Sequence, residues 1–393
     1  MKELLQNFFY SFNLRVTKRL EIYKLYKRDV FKSNYKNKVL LSYITEPFTL
    51  GINYSHTGLR ECYAAAEVFH NLGYCVDVVY HSLTRKIDYS QYEIIYGMGS
   101  VLERSFYLQE SSAPLRIFYA TGCNPIYSDV ITTLRARDFY IKHKRLLLES
   151  VRIVQLSQHA QILLSDAVIV LGNEFVLKTY TNYDPKGVER YLRLNVFFND
   201  SYDIDLEKKD FTTAKKNFLW FGSGGLLHKG LDILLDIFSQ RNDVYLHICG
   251  ARESEKGFFN YYKHLLSNSN NIIDHGFVKM ESEYFKKLMD TCGYTVFPSV
   301  SEGGAAALLN TMANGGLVPI ISKSSGLDME DFGWVIDKID IDIFNNAINQ
   351  ALLLDNEELK EKAIRVKAHI RHNYTYENYK QSLGNIIQKI LKM

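Results

Sequence analysis

Residues 301–316, SEGGAAALLNTMANGG, combine a carboxylate, two glycines and a helix pattern of small apolar residues. The preceding YTVFPS predicts a strand, so Glu302, Gly303 and Gly304 stand in the loop between that strand and the helix. The first amides of a helix have no partner inside it and the helix dipole makes that end positive, so these residues could bind an anion. The alternative that this stretch alone leaves open is a tight glycine turn with Glu302 as a cap.

A second stretch, FLWFGSGGLLHKGLDILLDIF at residues 218–238, places a glycine-rich loop after a predicted strand. Lys229 is predicted to lie in the first turn of the next helix and to be exposed, where a cation costs roughly 0.3 kcal/mol or more. A phosphate bound by Lys229 and the loop amides would offset that cost, whereas a solvated lysine is the alternative. Gly230 stands where a Walker loop requires Ser or Thr, which argues against kinase-like chemistry.

Strands and helices alternate on both sides of these loops. A βαβ unit is predicted from the strand KVLLSYI (38–44), the helical LRECYAAAEVFHNL and the strand CVDVVYH. Three further apolar runs extend it: YEIIYGMG, LRIFYATG and DAVIVLG. The polar residues 199–217 have the composition of a linker, after which FLWFGSG, VYLHICG, IIDHGF, YTVFPS and LVPIIS restart the pattern. This alternation predicts parallel sheets with helices on both faces and ligands at the carboxyl ends of the strands.

The predicted fold class is therefore α/β, with two facing doubly wound Rossmann-like domains and an active site in the cleft between them. The length of 393 residues suits two cores of ordinary size. We predict an N-terminal extension at residues 1–37, a first domain at 38–198, a second domain at 199–375 and a last helix at 376–393.

Composition excludes several classes of protein. The five cysteines form no C-x-x-C pair, so neither a zinc site nor a disulfide framework is predicted, and a reducing cytoplasm is expected. No run of eighteen apolar residues occurs and no apolar signal-peptide core opens the chain, so neither a spanning helix nor an export signal is predicted.

The N-terminal extension is basic, with ten Lys or Arg against three acidic residues in residues 1–38. Its apolar residues recur at helical spacing, at Leu4, Phe8, Phe12, Val16, Leu20 and Tyr23. Such a helix could lie on an anionic membrane or pack against the first domain, and both interpretations stay open. Nucleic-acid binding is not predicted, because no recognition motif accompanies the basic patch.

The second half resembles the family 4 glycosyltransferases of the GT-B fold, also called glycosyl transferases group 1. Four segments within residues 217–325 correspond in order to the family's motifs: FGSGGLLHKG, DHGFV, FPSVSEGG and NGGLVPIIS. The resemblance implies that Glu302 contacts hydroxyls of a donor sugar and that Asn310 takes the place of a second Glu that holds the ribose. The residues that it places at the nucleotide sugar are Gly222, Ser223, Gly224, His228, Lys229, Gly276, Phe277, Val278, Glu302, Gly303, Gly304, Ala305, Ala306 and Asn310.

Three departures from the family pattern affect the chemistry. Asn310 keeps an acceptor oxygen but lacks the charge of Glu, and Ser223 stands where the family has an Arg, which leaves Lys229 as the main cation for the diphosphate. Many members have a catalytic His where FYATGCNP offers Thr121 and Asn124. His56, in the loop with Ser55, is the remaining candidate for acid–base catalysis, and a solvated loop histidine is the alternative.

The resemblance implies a retaining glycosyltransferase, of the hexosyltransferase type, that moves a sugar from a nucleoside diphosphate sugar to a glycan or lipid-linked acceptor. Bacterial surface polysaccharide synthesis at the inner face of the cytoplasmic membrane is the expected setting, and the last helix would cross back to the first domain. Lys229, Glu302 and His56 are the expected catalytic residues, with no metal or cofactor, because fixed donors can stabilise the departing diphosphate. A degenerate nucleotide-sugar-binding protein and a nucleotide-sugar epimerase are the alternatives.

Overall fold

The computed structural model describes residues 25–52, 56–108, 113–154, 156–250 and 255–393. The predicted membrane-surface helix, with its stripe from Leu4 to Tyr23, and Ser55 lie outside these residues. Among the residues that are described, no helix has the length and apolar character needed to span a membrane.

The first sheet has seven strands. They are β1 (Tyr26–Lys27), β2 (Lys38–Tyr43), β3 (Cys75–Tyr80), β4 (Ile94–Gly97), β5 (Leu115–Ala120), β6 (Ala167–Leu171) and β7 (Tyr191–Leu194). The order is β1-β3-β2-β4-β5-β6-β7, in which β1 runs antiparallel to β3 and the pairs β2–β3, β2–β4 and β4–β5 are parallel. From β3 to β6 this is the flavodoxin-like doubly wound order. β1 lies inside the predicted N-terminal extension, whose end therefore joins the sheet.

Helices follow most of these strands, as the sequence predicts. They are α1 (Thr57–Asn71), α2 (Gly99–Ser105), α3 (Pro125–His143), α4 (Leu156–Leu164) and α5 (Glu174–Thr181), with short 3-10 helices at Glu46–Phe48, Tyr89–Gln91, Leu148–Ser150 and Val188–Arg190. Two residues explain why α3 begins where it does. Pro125 occupies the first position of the helix, and the Asn124 side chain caps it by accepting a hydrogen bond from Ile126 N at 2.9 Å.

The second sheet has six strands and the Rossmann order. They are β8 (Asn217–Phe221), β9 (Tyr245–Cys249), β10 (Ile272–Gly276), β11 (Tyr294–Phe297), β12 (Val318–Ser322) and β13 (Trp334–Ile336). The order β10-β9-β8-β11-β12-β13 is parallel throughout. The direction of strand addition reverses between β8 and β11, so the loops that follow these two strands lie side by side at the topological switch point. β13 was not predicted from the sequence.

The helices of this second half complete the doubly wound pattern. They are α6 (Phe211–Ala214), α7 (Leu231–Phe238), α8 (Lys256–Asn268), α9 (Glu283–Thr291), α10 (Ala306–Gly315), α11 (Ile341–Leu353), α12 (Asn356–Asn373) and α13 (Tyr376–Ile390), with a 3-10 helix at Lys323–Ser325. The central strands are buried on both faces: Phe218 of β8 stacks on Tyr294 of β11 with ring centroids 4.8 Å apart.

The chain divides into two compact units that differ from the predicted domains. One unit comprises Met1–Tyr119, Leu156–Val168 and Leu383–Met393, and the other comprises Ala120–Gln155 and Ile169–Ser382. Residues 120–155 join the second unit because the backbone of Ser150 bonds to the glycine-rich loop and Arg135 of α3 pairs with Asp232 of α7 at 2.6 Å. The last helix passes from the second unit into the first at Leu383.

Candidate active site

The glycine-rich loop after β8 forms a turn of its own before α7 begins at Leu231. Lys229 N donates to the Gly225 carbonyl oxygen at 2.8 Å, and Leu231 N donates to the Leu226 oxygen at 3.0 Å. Gly230 has φ +66°, and a Cβ there would lie 2.4 Å from the carbonyl oxygen of a neighbouring proline, so only glycine fits. The predicted placement of Lys229 in the first turn of the helix is wrong, because this left-handed residue separates Lys229 from α7.

Lys229 and Glu302 form an ion pair that joins the loop after β8 to the loop after β11. Lys229 Nζ lies 2.5 Å from Glu302 Oε1, and the two side chains are only 7% and 11% exposed. Ser299 Oγ donates to the same carboxylate oxygen at 2.9 Å. The expectation of an exposed Lys229 is also wrong, because its carboxylate partner and the Phe297 ring, 5.5 Å from the ammonium, cover it.

Arg152 brings a second cation to the same carboxylate. Its Nη1 lies 3.4 Å from Glu302 Oε2, and 52% of its side chain is exposed. Arg152 follows the short helix Leu148–Ser150 and was not among the predicted site residues. Glu302 therefore accepts one cation on each carboxylate oxygen.

The protonation of this cluster follows from burial and from these contacts. Burial favours the neutral acid at Glu302, but Lys229 and Arg152 outweigh burial and lower its pKa to about 2. Burial lowers the pKa of Lys229 from its ordinary value, and the negative charge of Glu302 opposes that shift. Because the two side chains form a buried ion pair, the removal of either leaves the other charge with less compensation in a buried position.

His228 is a neutral side chain that links neighbouring segments by hydrogen bonds, and it is not a third cation. Its ring is 1% exposed, and burial lowers its pKa to about 4. His228 Nε2 donates to the Ser301 carbonyl oxygen at 2.6 Å, which leaves Nδ1 to accept from Thr132 Oγ1 at 3.2 Å. The imidazole thus joins the two loops and α3, with both nitrogens occupied.

Several amides of the glycine-rich loop already have acceptors inside the protein. The buried Glu255 carboxylate accepts from Gly225 N and, at 2.9 Å, from Leu226 N. The Ser150 carbonyl oxygen accepts from Leu227 N at 3.1 Å and His228 N at 3.2 Å. At the start of the loop, Gly222 and Gly224 are half-buried and Ser223 is exposed, and the Gly222 amide donates to the Cys249 carbonyl oxygen at 3.0 Å.

The glycines before α10 are required by close packing of the chain. A Cβ at Gly303 would lie 2.3 Å from the Thr121 carbonyl oxygen, and Gly304 has φ +73° with Val196 Cγ1 2.7 Å from its Cβ position. Ala305 N donates to the Ser325 oxygen at 2.9 Å. Within the described residues, the amides of Gly303, Gly304 and Ala306 make no hydrogen bond; Gly303 and Gly304 are buried and Ala306 is half-buried.

Asn310 is bonded to the segment that leads into the second domain. Its Oδ1 accepts from Asn199 N at 2.7 Å, its Nδ2 lies 3.1 Å from the sulfur of Met280, and the residue is 3% exposed. One turn later, Asn314 Oδ1 accepts from Ser201 N at 3.0 Å and Nδ2 donates to the Asn199 oxygen at 3.0 Å. The acceptor oxygen that the sequence assigned to a ribose therefore has a backbone partner.

The turn after β10 presents an aromatic ring. Gly276 has φ +64° and its amide donates to Asp274 Oδ1 at 2.9 Å. Phe277 is 63% exposed, whereas Val278 is buried. An exposed ring of this kind could stack on a nucleotide base.

His56, the predicted acid–base residue, belongs to the first unit. It is the exposed N-cap of α1, and its Nδ1 accepts from Gly58 N at 2.9 Å. With Nδ1 used as an acceptor, the N–H of the ring is on Nε2, which can donate a hydrogen bond but cannot accept one.

The cysteines and potential metal ligands of the described residues are dispersed. All five cysteines are buried free thiols. Among the residues that the structure describes, no group of three or more His, Cys, Asp or Glu side chains has an arrangement suited to a metal ion.

Residues 203–368, which contain both loops and the Lys229–Glu302 pair, match the protein family described as Glycosyl transferases group 1. This segment is similar to the glycosyl transferases group 1 domain. The sequence-based resemblance is thereby confirmed for the second half of the chain. No curated protein sequence matches the chain.

Solved structures show that the group 1 domain belongs to a GT-B fold. Sucrose-phosphate synthase from Thermosynechococcus elongatus is 13% identical with a TM-score of 0.62, over 91% of this chain and 99% of that one. Anabaena Alr3699/HepE in complex with UDP-glucose is 12% identical with a TM-score of 0.59, over 90% and 99%. TarM is 15% identical with a TM-score of 0.52, over 76% of this chain, which spans only 56% of TarM. The predicted GT-B fold class is confirmed.

Proposed function

We propose that the chain is a retaining glycosyltransferase that moves a sugar from a nucleoside diphosphate sugar to a glycan or lipid-linked acceptor. The observation that carries the proposal is the buried Lys229–Glu302 pair at the carboxyl ends of β8 and β11, inside a glycosyl transferases group 1 domain. A cation suits the phosphates of such a donor, and a carboxylate suits the hydroxyls of its sugar.

The diphosphate would bind at the start of α10. The amides of Gly303, Gly304 and Ala306 would donate to phosphate oxygens, at the positive end of the helix dipole. Ser223 and the amide of Gly224, at the accessible start of the other loop, would supply further donors.

Lys229 would exchange partners when the donor arrives. Its ammonium is neutralised by Glu302 at 2.5 Å in the structure. A phosphate at the same ammonium would take over part of that interaction, which frees carboxylate lone pairs of Glu302 to accept hydrogen bonds from sugar hydroxyls. The ion pair is thus a resting arrangement of two donor-binding groups.

Transfer would depend on stabilisation of the departing diphosphate. Negative charge grows on its phosphate oxygens as the glycosidic bond breaks, and Lys229 with the α10 amides would stabilise that charge. For the retained configuration, we propose that the departing phosphate takes the acceptor's proton on the same face. His56 is the weaker candidate for this step, because the nitrogen that could accept a proton is used by Gly58 N.

The nucleoside would lie beside the turn after β10. Phe277 is the exposed ring of that turn, with Gly276 and Val278 on either side. Anabaena HepE, which shares the fold, has been crystallised with UDP and with UDP-glucose, and this supports a uridine donor as the first to test.

The acceptor and the setting are proposed on the basis of the sequence. A basic N-terminal segment with an apolar stripe suits association with an anionic membrane surface, where a lipid-linked acceptor would lie. We therefore propose that the enzyme acts at the inner face of the cytoplasmic membrane, in bacterial surface polysaccharide synthesis, with a hexose as the transferred sugar.

A panel of UDP, GDP, ADP, CMP and dTDP, and of their sugar conjugates, tests the proposal by thermal shift and donor turnover. A ligand that binds only the folded chain must raise its melting temperature. A shift from one nucleoside diphosphate, with release of that diphosphate from its sugar conjugate, supports a transferase. Binding without release of the diphosphate indicates a degenerate binding protein, epimer formation without release indicates an epimerase, and no shift from any ligand overturns the proposal.

A further inference from the structure

The residues around Arg152 are attached directly to the glycine-rich loop. The Ser150 carbonyl oxygen accepts from two consecutive loop amides, Leu227 N at 3.1 Å and His228 N at 3.2 Å. Val154 N, on the other side of Arg152, donates to Asp129 Oδ1 at 2.8 Å. The backbone that carries Arg152 is therefore held at both ends by residues of its own unit.

The Arg152 side chain crosses the loop at a glycine. Gly225 has φ +88°, and a Cβ at this position would lie 2.7 Å from Arg152 Cδ and 2.9 Å from Arg152 Cγ. A side chain at residue 225 would thus displace the arginine stem. This close approach directs the guanidinium to Glu302, where Nη1 lies 3.4 Å from Oε2.

Two cations converge on the Glu302 carboxylate, and only one of them is buried. Lys229 and Arg152 are the two cations in contact with Glu302, and His228 beside them is neutral because burial lowers its pKa to about 4. Glu302 therefore contacts two positive charges, and the buried Glu255 carboxylate adds a second negative charge near Lys229. Lys229 is buried, whereas half of the Arg152 side chain is exposed, so Arg152 has donors available to a second anion.

We infer that Arg152 is a donor-binding and catalytic residue that contacts the diphosphate of the nucleotide sugar. This inference rests on the proposed function. The planar guanidinium presents several N–H donors, so it can keep Glu302 on one edge and bind phosphate oxygens with another. Lys229 and Arg152 together supply two positive charges to the departing diphosphate, one from β8's loop and one from the segment after α3.

Calorimetric titrations of three ligands that share one nucleoside test the inference. The ligands are UDP, UMP and uridine, or the corresponding set for whichever nucleoside diphosphate stabilises the wild type most. The variants are Arg152→Ala, Arg152→Lys and Lys229→Ala. Arg137→Ala is the matched control, because Arg137 is an exposed arginine of the same unit that pairs with its neighbour Asp138.

Arg152→Ala is expected to weaken diphosphate binding by about tenfold to a hundredfold, the usual loss for a charged hydrogen bond. Its affinity for the nucleoside alone should stay unchanged, and Arg152→Lys should recover part of the loss. Sugar-donor turnover should fall with the diphosphate affinity. Arg137→Ala should match the wild type in every measurement.

If Arg152→Ala keeps the diphosphate affinity and turnover of the wild type while Lys229→Ala loses them, the inference is overturned. The proposed function would then still stand. An equal loss of affinity for diphosphate and nucleoside in Arg152→Ala would also overturn the inference, since that pattern indicates a general structural effect. A wild type that binds none of the nucleoside diphosphates would overturn both. Melting temperatures of the unliganded variants show whether each is folded, and Arg152→Gln replaces Arg152→Ala if the latter is not.

Discussion

Lys229 Nζ lies 2.5 Å from Glu302 Oε1, so a lysine of the loop after β8 is neutralised by a carboxylate of the loop after β11. The two residues are 73 positions apart in the chain. They meet because the Rossmann strand order places β8 beside β11 at the switch point.

Removal of either partner of this pair should destabilise the protein, and the two losses should not add. Lys229→Met and Glu302→Gln should each lower the free energy of unfolding by about 3 kcal/mol, because each leaves a buried charge with less compensation. The double variant should lose less than the sum of the two single variants. Urea unfolding of the four proteins measures the coupling, and additive losses would show that the two side chains do not interact energetically.

Glu255→Gln should loosen the glycine-rich loop. The carboxylate uses both oxygens to accept from Gly225 N and Leu226 N, and an amide has only one acceptor oxygen, so one loop N–H would lose its partner. We expect a loss of about 1–3 kcal/mol in the free energy of unfolding, the cost of an unpaired buried donor. Glu283→Gln is the control, because that side chain is 82% exposed. Equal stability of the two variants would contradict the assigned role of Glu255.

The substitution Asn310→Ala distinguishes two possible roles of Asn310, which are stabilisation of the fold and contact with a ribose. Because Asn310 Oδ1 accepts from Asn199 N in a buried position, the variant should lower the free energy of unfolding by about 1–3 kcal/mol. Nucleoside affinity, measured by calorimetry under conditions where the variant is folded, should stay within about twofold of the wild type. A tenfold loss of nucleoside affinity would instead support the ribose contact that the sequence suggested.

Sequence patterns predict most of this architecture because they report what each residue does locally. Apolar runs between glycines predicted β8, β11 and their loops, and the order of motifs predicted the fold of the second half. Lys229 and Glu302 were identified because a charged residue beside a glycine-rich loop is itself a local signal.

Contacts between distant segments carry no such local signal. Arg152 stands in a stretch without a motif, and Glu255 lies far along the chain from the loop whose amides it accepts. Lys209 looked like part of a polar linker, yet its buried Nζ donates to the carbonyl oxygens of Met289 and Cys292 at 2.7 Å each. These three roles depend on tertiary packing, which the spacing of residue types does not encode.

Acid should destabilise the folded chain through two buried histidines. Burial lowers the pKa of His228 and, with the neighbouring His275, that of His247, each to about 4. His247 Nε2 donates to Asn217 Oδ1 at 2.8 Å and Nδ1 accepts from His275 Nε2 at 2.9 Å, so a proton on Nδ1 is incompatible with this arrangement of the two rings. Between about pH 4 and 6.5 the unfolded chain binds more protons than the folded one, so stability must rise with pH across that window.

His247→Gln should remove one of these two contributions. Each histidine adds up to about 1.4 kcal/mol per pH unit to the slope of unfolding free energy against pH, so the variant should show a shallower slope between pH 4 and 6.5. Urea unfolding at half-unit pH steps measures it. His264→Gln is the control, because that histidine is exposed and should leave the slope unchanged. Superimposable pH profiles of His247→Gln and the wild type would show that the fold does not hold His247 neutral. A histidine contributes to the slope of unfolding free energy against pH only if it binds its proton less readily in the folded chain than in the unfolded chain.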